Sequence, residues 1–169
     1  VDITPHERGE KYSTPSLKSF NERTRAFMKV EDGCDRWCTY CIIPKARGEV
    51  RSKALADISA EAKALADKGF CELVLVGINL TSYGKDSGLT ICDAVSAAAD
   101  AEGIRRIRLG SLEPDHISDE TLDRLAADDA PEARVVLPAA VVEYLRRDRK
   151  LVADGLYDLD LAVEPGPVV

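Results

Sequence analysis

The stretch DISAEAKALADKGFCELVLV, residues 57–76, decides the fold class of this chain. Its first part carries apolar side chains at helical spacing and is followed by a glycine stop signal, which predicts a helix over residues 57–68. The residues that share the apolar face are Ile58, Ala62 and Leu65. The apolar run Leu73–Val76 that follows is typical of a strand covered on both faces. A helix followed directly by a buried strand is a unit of a parallel α/β sheet.

The same alternation extends to both sides of this stretch. A strand is predicted over residues 26–30, and a second helix over residues 90–102, with Thr90 and Asp93 in capping positions. A third strand contains Ile107 and Leu109, and Ser118 caps a third helix. The order strand, helix, strand, helix, strand, helix predicts an α/β fold with a parallel sheet and right-handed crossovers.

The chain divides into three segments by composition. Residues 1–24 are polar and broken by prolines and a glycine, and they read as a linker or extended arm. Residues 25–130 carry the strand and helix alternation and form the core segment. Residues 131–169 form a tail whose pattern is weaker, with one strand predicted at 135–137 and one helix at 140–152.

Composition limits the class of protein. The chain has 169 residues, a net charge of −7 and no apolar run of membrane-spanning length, so we expect a soluble α/β protein without a membrane partner. Its start shows no signal peptide and no initiator Met, which suggests a fragment. Five cysteines, an odd number, indicate a reducing compartment and a cytoplasmic location. The acidic balance argues against tight nucleic-acid binding by this segment.

Three cysteines lie close together in the run GCDRWCTYC, residues 33–41. Cys34, Cys38 and Cys41 have the spacing C-x3-C-x2-C. Thiolates are soft ligands that suit iron–sulfur clusters and zinc. Three thiolates would leave one iron of a four-iron cluster without a protein ligand, and that open iron is a place for chemistry. A structural zinc site would need a fourth ligand. The candidates for that ligand are His6, Cys71, Cys92 and His116. Three incidental cysteines are the remaining interpretation.

Three loops follow the carboxyl ends of the predicted strands, where parallel α/β folds bind their ligands. They are the cysteine loop, the segment GINLTSYG at residues 77–84, and the segment GSLEP at residues 110–114. Gly77 allows close approach to the backbone, and Asn79 can donate or accept a hydrogen bond. Ordinary turns after strands are the alternative reading of both segments.

The stretch FMKVEDGC through CIIPKARG, with the two later segments, resembles the radical S-adenosylmethionine (SAM) core of the methylthiotransferases. The resemblance covers residues 20–128 and is strongest to the branch that modifies threonylcarbamoyladenosine in tRNA. The isopentenyladenosine and ribosomal-protein branches are the alternatives within the family. The resemblance implies a partial, truncated (β/α) barrel with parallel strands.

The resemblance also implies cofactors and residue roles. Cys34, Cys38 and Cys41 would ligate a [4Fe–4S] cluster whose fourth iron binds SAM, and reductive cleavage of SAM would start methylthio insertion next to the tRNA anticodon. No catalytic side chain beyond the cluster ligands is assigned. The SAM contacts would come from Tyr40, Gly77, Asn79, Ser111 and Glu113. Arg47 and Arg51 are candidate RNA phosphate contacts, with a solvated basic loop as the alternative.

The resemblance implies partners as well. These would be tRNA and an electron donor such as a flavodoxin or a ferredoxin. Family members carry a second [4Fe–4S] cluster in an amino-terminal domain and a tRNA-gripping domain at the carboxyl end, and neither is recognisable in this sequence. Two other functions therefore compete with the enzyme core: a non-catalytic domain stabilised by zinc, and an inactive fragment of such an enzyme.

Overall fold

The computed structural model describes residues 6–7, 9–13, 24–126, 134–138 and 141–143. The strands are β1 (Ala26–Lys29), β2 (Glu31–Asp32), β3 (Arg51–Ser52), β4 (Glu72–Val76), β5 (Arg106–Leu109) and β6 (Arg134–Val136). The helices are α1 (Ile43–Arg47), α2 (Leu55–Ala66), α3 (Ile91–Ala99) and α4 (Asp119–Ala126). Two short 3₁₀ turns span Leu80–Ser82 and Pro114–His116.

The main sheet has four parallel strands in the order β1, β4, β5, β6. A helix lies in the connection between each strand and the next. Each strand is beside the one that precedes it in this sheet, so the order does not reverse as it does in a doubly wound sheet. That succession is the one found in (β/α) barrels. The predicted α/β fold with a parallel, partial barrel is therefore confirmed.

One face of the sheet holds the hydrophobic core. Ala26, Leu73 and Ile107 stand in register across β1, β4 and β5, and all three are fully buried. The helices α2 and α3 pack beside each other, and their apolar residues join the same cluster. Burial of this face is the main favourable contribution to folding, at about 25 cal/mol per Å² of apolar surface.

Two of the three predicted helix starts are confirmed in their hydrogen bonds, whereas α2 begins at Leu55, two residues before the predicted start. The Thr90 backbone N–H donates to the Asp93 carboxylate at 2.7 Å, at the start of α3. The Thr121 backbone N–H donates to the Ser118 hydroxyl at 3.1 Å, at the start of α4. Both contacts satisfy backbone or capping groups that a helix terminus otherwise leaves unpaired.

Four features differ from the expectation or lie beyond it. Helix α1 and the short antiparallel pair of β2 and β3 were not predicted, because their elements are too short to show a period. The strand expected at 135–137 is observed at Arg134–Val136. Of the helix expected over 140–152, only residues 141–143 are described, and these are helical. In the described residues, no helix is long and apolar enough to cross a membrane.

Candidate functional site

The three predicted loops meet at the carboxyl edge of the sheet. We call them the cysteine loop (residues 33–42), the second loop (residues 77–84) and the third loop (residues 110–114). The Asp35 carboxylate in the cysteine loop pairs with Lys85, just after the second loop, at 2.7 Å. Arg36, also in the cysteine loop, lies 3.7 Å from the Glu113 carboxylate in the third loop. These contacts confirm that the loops converge.

A backbone hydrogen bond connects the other two loops. The Leu80 N–H donates to the Ser111 carbonyl oxygen at 2.8 Å. At the strand ends below them, the Gly110 N–H donates to the Leu75 carbonyl oxygen at 3.0 Å. The second and third loops are therefore joined directly, both at the loops and at the strand ends.

The cysteine loop is fixed where it begins. The Cys34 N–H donates to the Gly48 carbonyl oxygen at 3.1 Å. Gly33 has a φ of +84°, and a Cβ there would lie 2.0 Å from the Glu49 carbonyl oxygen. Only glycine allows both this backbone conformation and this close approach. The first cysteine is thus held against the chain segment that follows α1.

The three cysteines differ in their surroundings. Cys34 is buried, Cys41 is half-buried and Cys38 is exposed, and all three thiols are free. Burial raises the pKa of the Cys34 thiol, and the charges of Asp35 and Glu31 add to the effect. Among the described residues, no group of three or more cysteine, histidine or acidic side chains is gathered closely enough to hold a metal ion. The structure brings the cysteines onto one loop without drawing their sulfur atoms together.

A buried carboxylate with cations around it braces the base of the cysteine loop. Asp32 pairs with Lys29 at 2.7 Å and lies 3.5 Å from Arg47 and 3.7 Å from Arg51. Burial alone would raise the pKa of Asp32, but the hydrogen bonds from Lys29 and the Gly33 N–H, with the nearby cations, lower it below its ordinary value. Asp32 is therefore held as a carboxylate between cationic side chains.

Arg51 is a candidate RNA contact, and the structure shows how its side chain is held within the protein. Its side chain is only 7% exposed. Its guanidinium donates to the Arg47 carbonyl oxygen at 2.8 Å and to the Glu49 carbonyl oxygen at 3.4 Å. These contacts hold the connection between α1 and β3, so the side chain is committed to the protein. The Arg47 side chain is about half exposed and remains accessible.

The residues expected to contact SAM fall into two groups. Tyr40, 91% exposed, and Ser111 and Glu113, also exposed, stand at the open edge of the site. Asn79 is buried, and its side-chain oxygen accepts hydrogen bonds from the Thr81 N–H and hydroxyl. Asn79 thus caps the 3₁₀ turn of the second loop, and its side-chain oxygen is already engaged.

The close approach to Gly77 is made by a protein side chain. A Cβ on Gly77 would lie 2.5 Å from the Glu31 carboxylate oxygen Oε2. Sequence reasoning missed Glu31, which is fully buried and forms the first residue of β2. The sequence shows only an acidic residue directly after a predicted strand. Nothing in the local pattern indicates that this residue is buried.

A cavity of about 480 Å³ opens beside the first cysteine. Cys34, Trp37 and Lys85 line it on the loop side, and His6 and Gly48 line it on the side of the amino-terminal arm. None of the second-loop or third-loop residues expected to bind SAM lines this cavity. The cavity lies beside the Asp35–Lys85 contact, but it does not extend to the second-loop and third-loop residues expected to bind SAM.

Of the candidates for a fourth zinc ligand, His6 lines the cavity beside Cys34, and the other three do not line it. Cys71 precedes β4 and so lies at the amino edge of the sheet, opposite the cysteine loop. Cys92 is buried in α3, where its thiol donates to the Thr121 carbonyl oxygen. His6 hydrogen-bonds Glu10 at 2.6 Å, and the backbone N–H of His116 donates to the Glu113 carbonyl oxygen within the second 3₁₀ turn. The described residues thus hold no four-ligand zinc site.

The fold and the site define this chain as a (β/α)-barrel segment with a three-thiol loop at its functional edge. No protein-family profile matches the sequence. The threonylcarbamoyladenosine tRNA methylthiotransferase MtaB of Bacillus subtilis is 38% identical over 167 residues, covering 94% of this chain and 37% of that protein. The tRNA-2-methylthio-N(6)-dimethylallyladenosine synthase of a Thermoanaerobacter species is 43% identical over 100 residues, covering 58% of this chain and 21% of that protein.

The chain therefore belongs to the methylthiotransferase family by sequence, as a homologue of one segment of its members. It spans roughly a third or less of the length of these relatives. A match over 94% of the chain must extend beyond residue 128, so the resemblance is wider than the expected 20–128. A solved structure of the radical SAM methyltransferase TsrM from Kitasatospora setae aligns with a TM-score of 0.49 and 18% identity, covering 68% of this chain and 22% of that one.

Proposed function

We propose that this chain is the cofactor-binding segment of a tRNA methylthiotransferase, with the cysteine loop holding a [4Fe–4S] cluster. The observation that supports it most is the place of the cysteine triplet. It follows β1 and the short β2, at the edge where the two other loops meet it through Asp35 and Arg36. The homology to methylthiotransferases over nearly the whole chain supports the same assignment.

The donor set fits such a cluster in kind. Cys34, Cys38 and Cys41 are three free thiols on one loop, and soft thiolates are the usual ligands of iron–sulfur clusters. Each would ligate one iron. The sulfur atoms are not close enough to one another in the described arrangement to hold a metal. Cluster assembly would therefore draw Cys38 and Cys41 toward Cys34, whose backbone is anchored. When bound, the cluster and SAM supply one-electron cleavage of SAM.

The chain's own residues bind and orient SAM in this proposal. The third loop offers Ser111 and Glu113 as exposed polar groups, and the exposed Tyr40 ring can pack against an adenine. The second loop contributes the backbone at Gly77 and Asn79. Arg47 is the remaining candidate for a phosphate contact, because Arg51 is buried.

We assign tRNA carrying threonylcarbamoyladenosine as the substrate, in line with the B. subtilis relative's name. The dimethylallyladenosine branch is the second candidate, because a relative named for that reaction matches at 43% identity over 100 residues. A tRNA substrate would place the protein in the cytoplasm. A flavodoxin or a ferredoxin is the class of electron donor that such chemistry requires.

The experiment is anaerobic reconstitution of the chain with iron and sulfide. We expect iron and sulfide to be retained, zinc to be excluded, and SAM to be cleaved to 5′-deoxyadenosine once the cluster is reduced. Uptake of zinc without iron and sulfide would instead identify a structural metal domain. Uptake of neither metal would identify an inactive fragment.

The substrate is tested separately with two tRNAs, one carrying threonylcarbamoyladenosine and one carrying isopentenyladenosine. Mass spectrometry of the digested nucleosides measures the methylthio product of each. We expect product from the first tRNA only, and product from the second alone would assign the other branch.

A further inference from the structure

Glu31 is a fully buried acidic side chain at the loop edge, and the proposed function gives it no role. It is fully buried between the cysteine loop and the second loop. Its carboxylate oxygen Oε2 accepts hydrogen bonds from two consecutive backbone N–H groups, those of Ile78 at 2.7 Å and Asn79 at 2.9 Å. A single side-chain oxygen therefore fixes the backbone direction at the start of the second loop.

The contact is close enough to demand a glycine opposite it. A Cβ on Gly77 would lie 2.5 Å from Oε2 of Glu31 and 2.9 Å from the Leu80 side chain. Neither distance is compatible with an alanine unless something shifts. Gly77 and Glu31 are thus complementary: one leaves the space, and the other fills it with an acceptor.

The constraint passes on to the third loop. Leu80, which follows the two bonded N–H groups, donates its own N–H to the Ser111 carbonyl oxygen at 2.8 Å. Glu31 is three residues before Cys34 in the chain and begins β2. A continuous path of hydrogen bonds therefore runs from the base of the cysteine loop through the second loop to the third.

Packing alone does not account for a carboxyl group here. Its second oxygen, Oε1, is buried and has no hydrogen-bond partner among the described residues. Burying a carboxyl group is costly, and an apolar side chain of similar volume would fill the space without that cost. Only the two accepted hydrogen bonds offset that cost among the contacts described. This indicates that the carboxyl group serves to orient the backbone of the second loop.

We propose that Glu31 is a positioning residue for SAM: it holds the second loop, and through it the third, in the conformation that receives the cofactor. This inference rests on the proposed function, because it takes these loops as the SAM-binding face. Glu31 itself is fully buried and acts through the backbone of Ile78 and Asn79.

Three variants test the proposal in the full chain, reconstituted with its cluster without oxygen. Glu31→Met keeps the volume and removes the acceptor, whereas Glu31→Gln keeps an acceptor oxygen. Glu72→Gln is the matched control, because Glu72 is an ion-paired carboxylate at the opposite end of the sheet. Equilibrium dialysis measures SAM affinity, and iron analysis measures cluster content.

We expect Glu31→Met to weaken SAM binding at least about tenfold, the effect of one lost hydrogen bond or more, with cluster content unchanged. Glu31→Gln restores affinity to within about threefold, and Glu72→Gln leaves it unchanged. Unchanged SAM affinity in Glu31→Met, or equal loss in both Glu31 variants, overturns the proposal. If Glu31→Met does not fold, Glu31→Asp, whose carboxylate is one methylene shorter, takes its place.

A second measurement does not depend on any cofactor. Amide hydrogen exchange in the metal-free chain reports on Ile78 and Asn79 directly. We expect both amides to exchange at least about tenfold faster in Glu31→Met than in the wild type or in Glu31→Gln. Equal exchange overturns the role of Glu31 alone. A wild-type chain that shows the exchange pattern but binds neither cluster nor SAM overturns the proposed function instead.

Discussion

The stability of this protein should depend on pH through Glu31 in a direction opposite to that of an ordinary carboxylate. Burial raises the pKa of Glu31 from 4.5 to about 7, against the hydrogen bonds from Asn79 and Ile78, which lower it. The neighbouring charge of Asp32 raises the pKa further, and that of Lys29 lowers it. At 1.36 kcal/mol per pKa unit, this difference in pKa between the unfolded and the folded chain corresponds to about 3 kcal/mol of unfolding free energy.

The sign follows from which state binds the proton more tightly. The folded state holds the Glu31 proton up to about pH 7, whereas the unfolded chain releases it near its ordinary pKa of 4.5. The favourable contribution is therefore present at low pH and is lost as the pH rises from about 4.5 to about 7. Between about pH 5 and about pH 8, the wild type should lose about 2–3 kcal/mol of unfolding free energy through this group.

Glu31→Gln removes the titration and keeps an acceptor. Urea unfolding of the metal-free chain at several pH values measures both proteins, and contributions from all other groups cancel in the difference between them. The stability of Glu31→Gln relative to the wild type should rise by about 2–3 kcal/mol from about pH 5 to about pH 8. A difference that does not change with pH would refute the reasoning.

Glu72→Gln supplies the control of opposite sign. Burial works against ionisation of Glu72, but the hydrogen bonds from Arg108 and Arg106 outweigh it and lower the pKa of the carboxyl group. Its contribution is present at neutral pH and is lost as the pH falls below its ordinary pKa. Glu72→Gln should therefore lower the free energy of unfolding at neutral pH, and the loss should be smaller at acidic pH.

Three further predictions concern the cysteine loop and the packing around it. Cys38→Ala should abolish iron uptake on reconstitution. Cys71→Ala is the control, because Cys71 lies at the opposite edge of the sheet, and this variant should take up iron as the wild type does; iron analysis measures the uptake of both. Gly84→Ala should lower the free energy of unfolding in urea by more than about 2 kcal/mol, because its φ is +84° and a Cβ would lie 1.9 Å from a backbone oxygen. Gly88→Ala is the control, since Gly88 has a φ of +73° but open space around it, and it should lower the free energy of unfolding by about 1 kcal/mol. Equal losses in the two variants would contradict the clash. Tyr83→Phe should lower the free energy of unfolding by about 1–2 kcal/mol. The buried Tyr83 hydroxyl donates to the Lys53 carbonyl oxygen at 2.6 Å, and the variant would leave that oxygen unpaired. An unchanged free energy of unfolding would argue against this hydrogen bond.

Only the first of the three cysteines is fixed by the surrounding fold. The Cys34 amide is bonded to Gly48, and Gly33 must be a glycine for the two segments to meet. Cys38 and Cys41 are bonded within the loop itself: the Cys38 N–H donates to the Arg36 carbonyl oxygen, and the Cys41 N–H to that of Cys38. In the proposed cluster site, Cys34 would be an anchored ligand and Cys38 and Cys41 would be ligands on a local turn, an arrangement that metal binding could complete.

The amino-acid sequence determined the α/β class and the position of the candidate site. The helix period around Ile58 and the apolar run at β4 each depend on local residues alone, so they could be read without the structure. The cysteine spacing is likewise local. The convergence of the three loops followed from a general rule, since parallel strands bring their carboxyl ends to one edge.

The tertiary structure decided which side chains are accessible there. Arg51 is buried because β3 pairs with β2, and this short antiparallel pair leaves no period in the sequence. Glu31 became a buried acceptor because the second loop, 47 residues further along the chain, presents two N–H groups to it. Burial and long-range hydrogen bonds depend on residues far apart in the sequence. Local sequence pattern therefore predicted where the candidate site lies, and only the folded chain showed which residues hold its loops together.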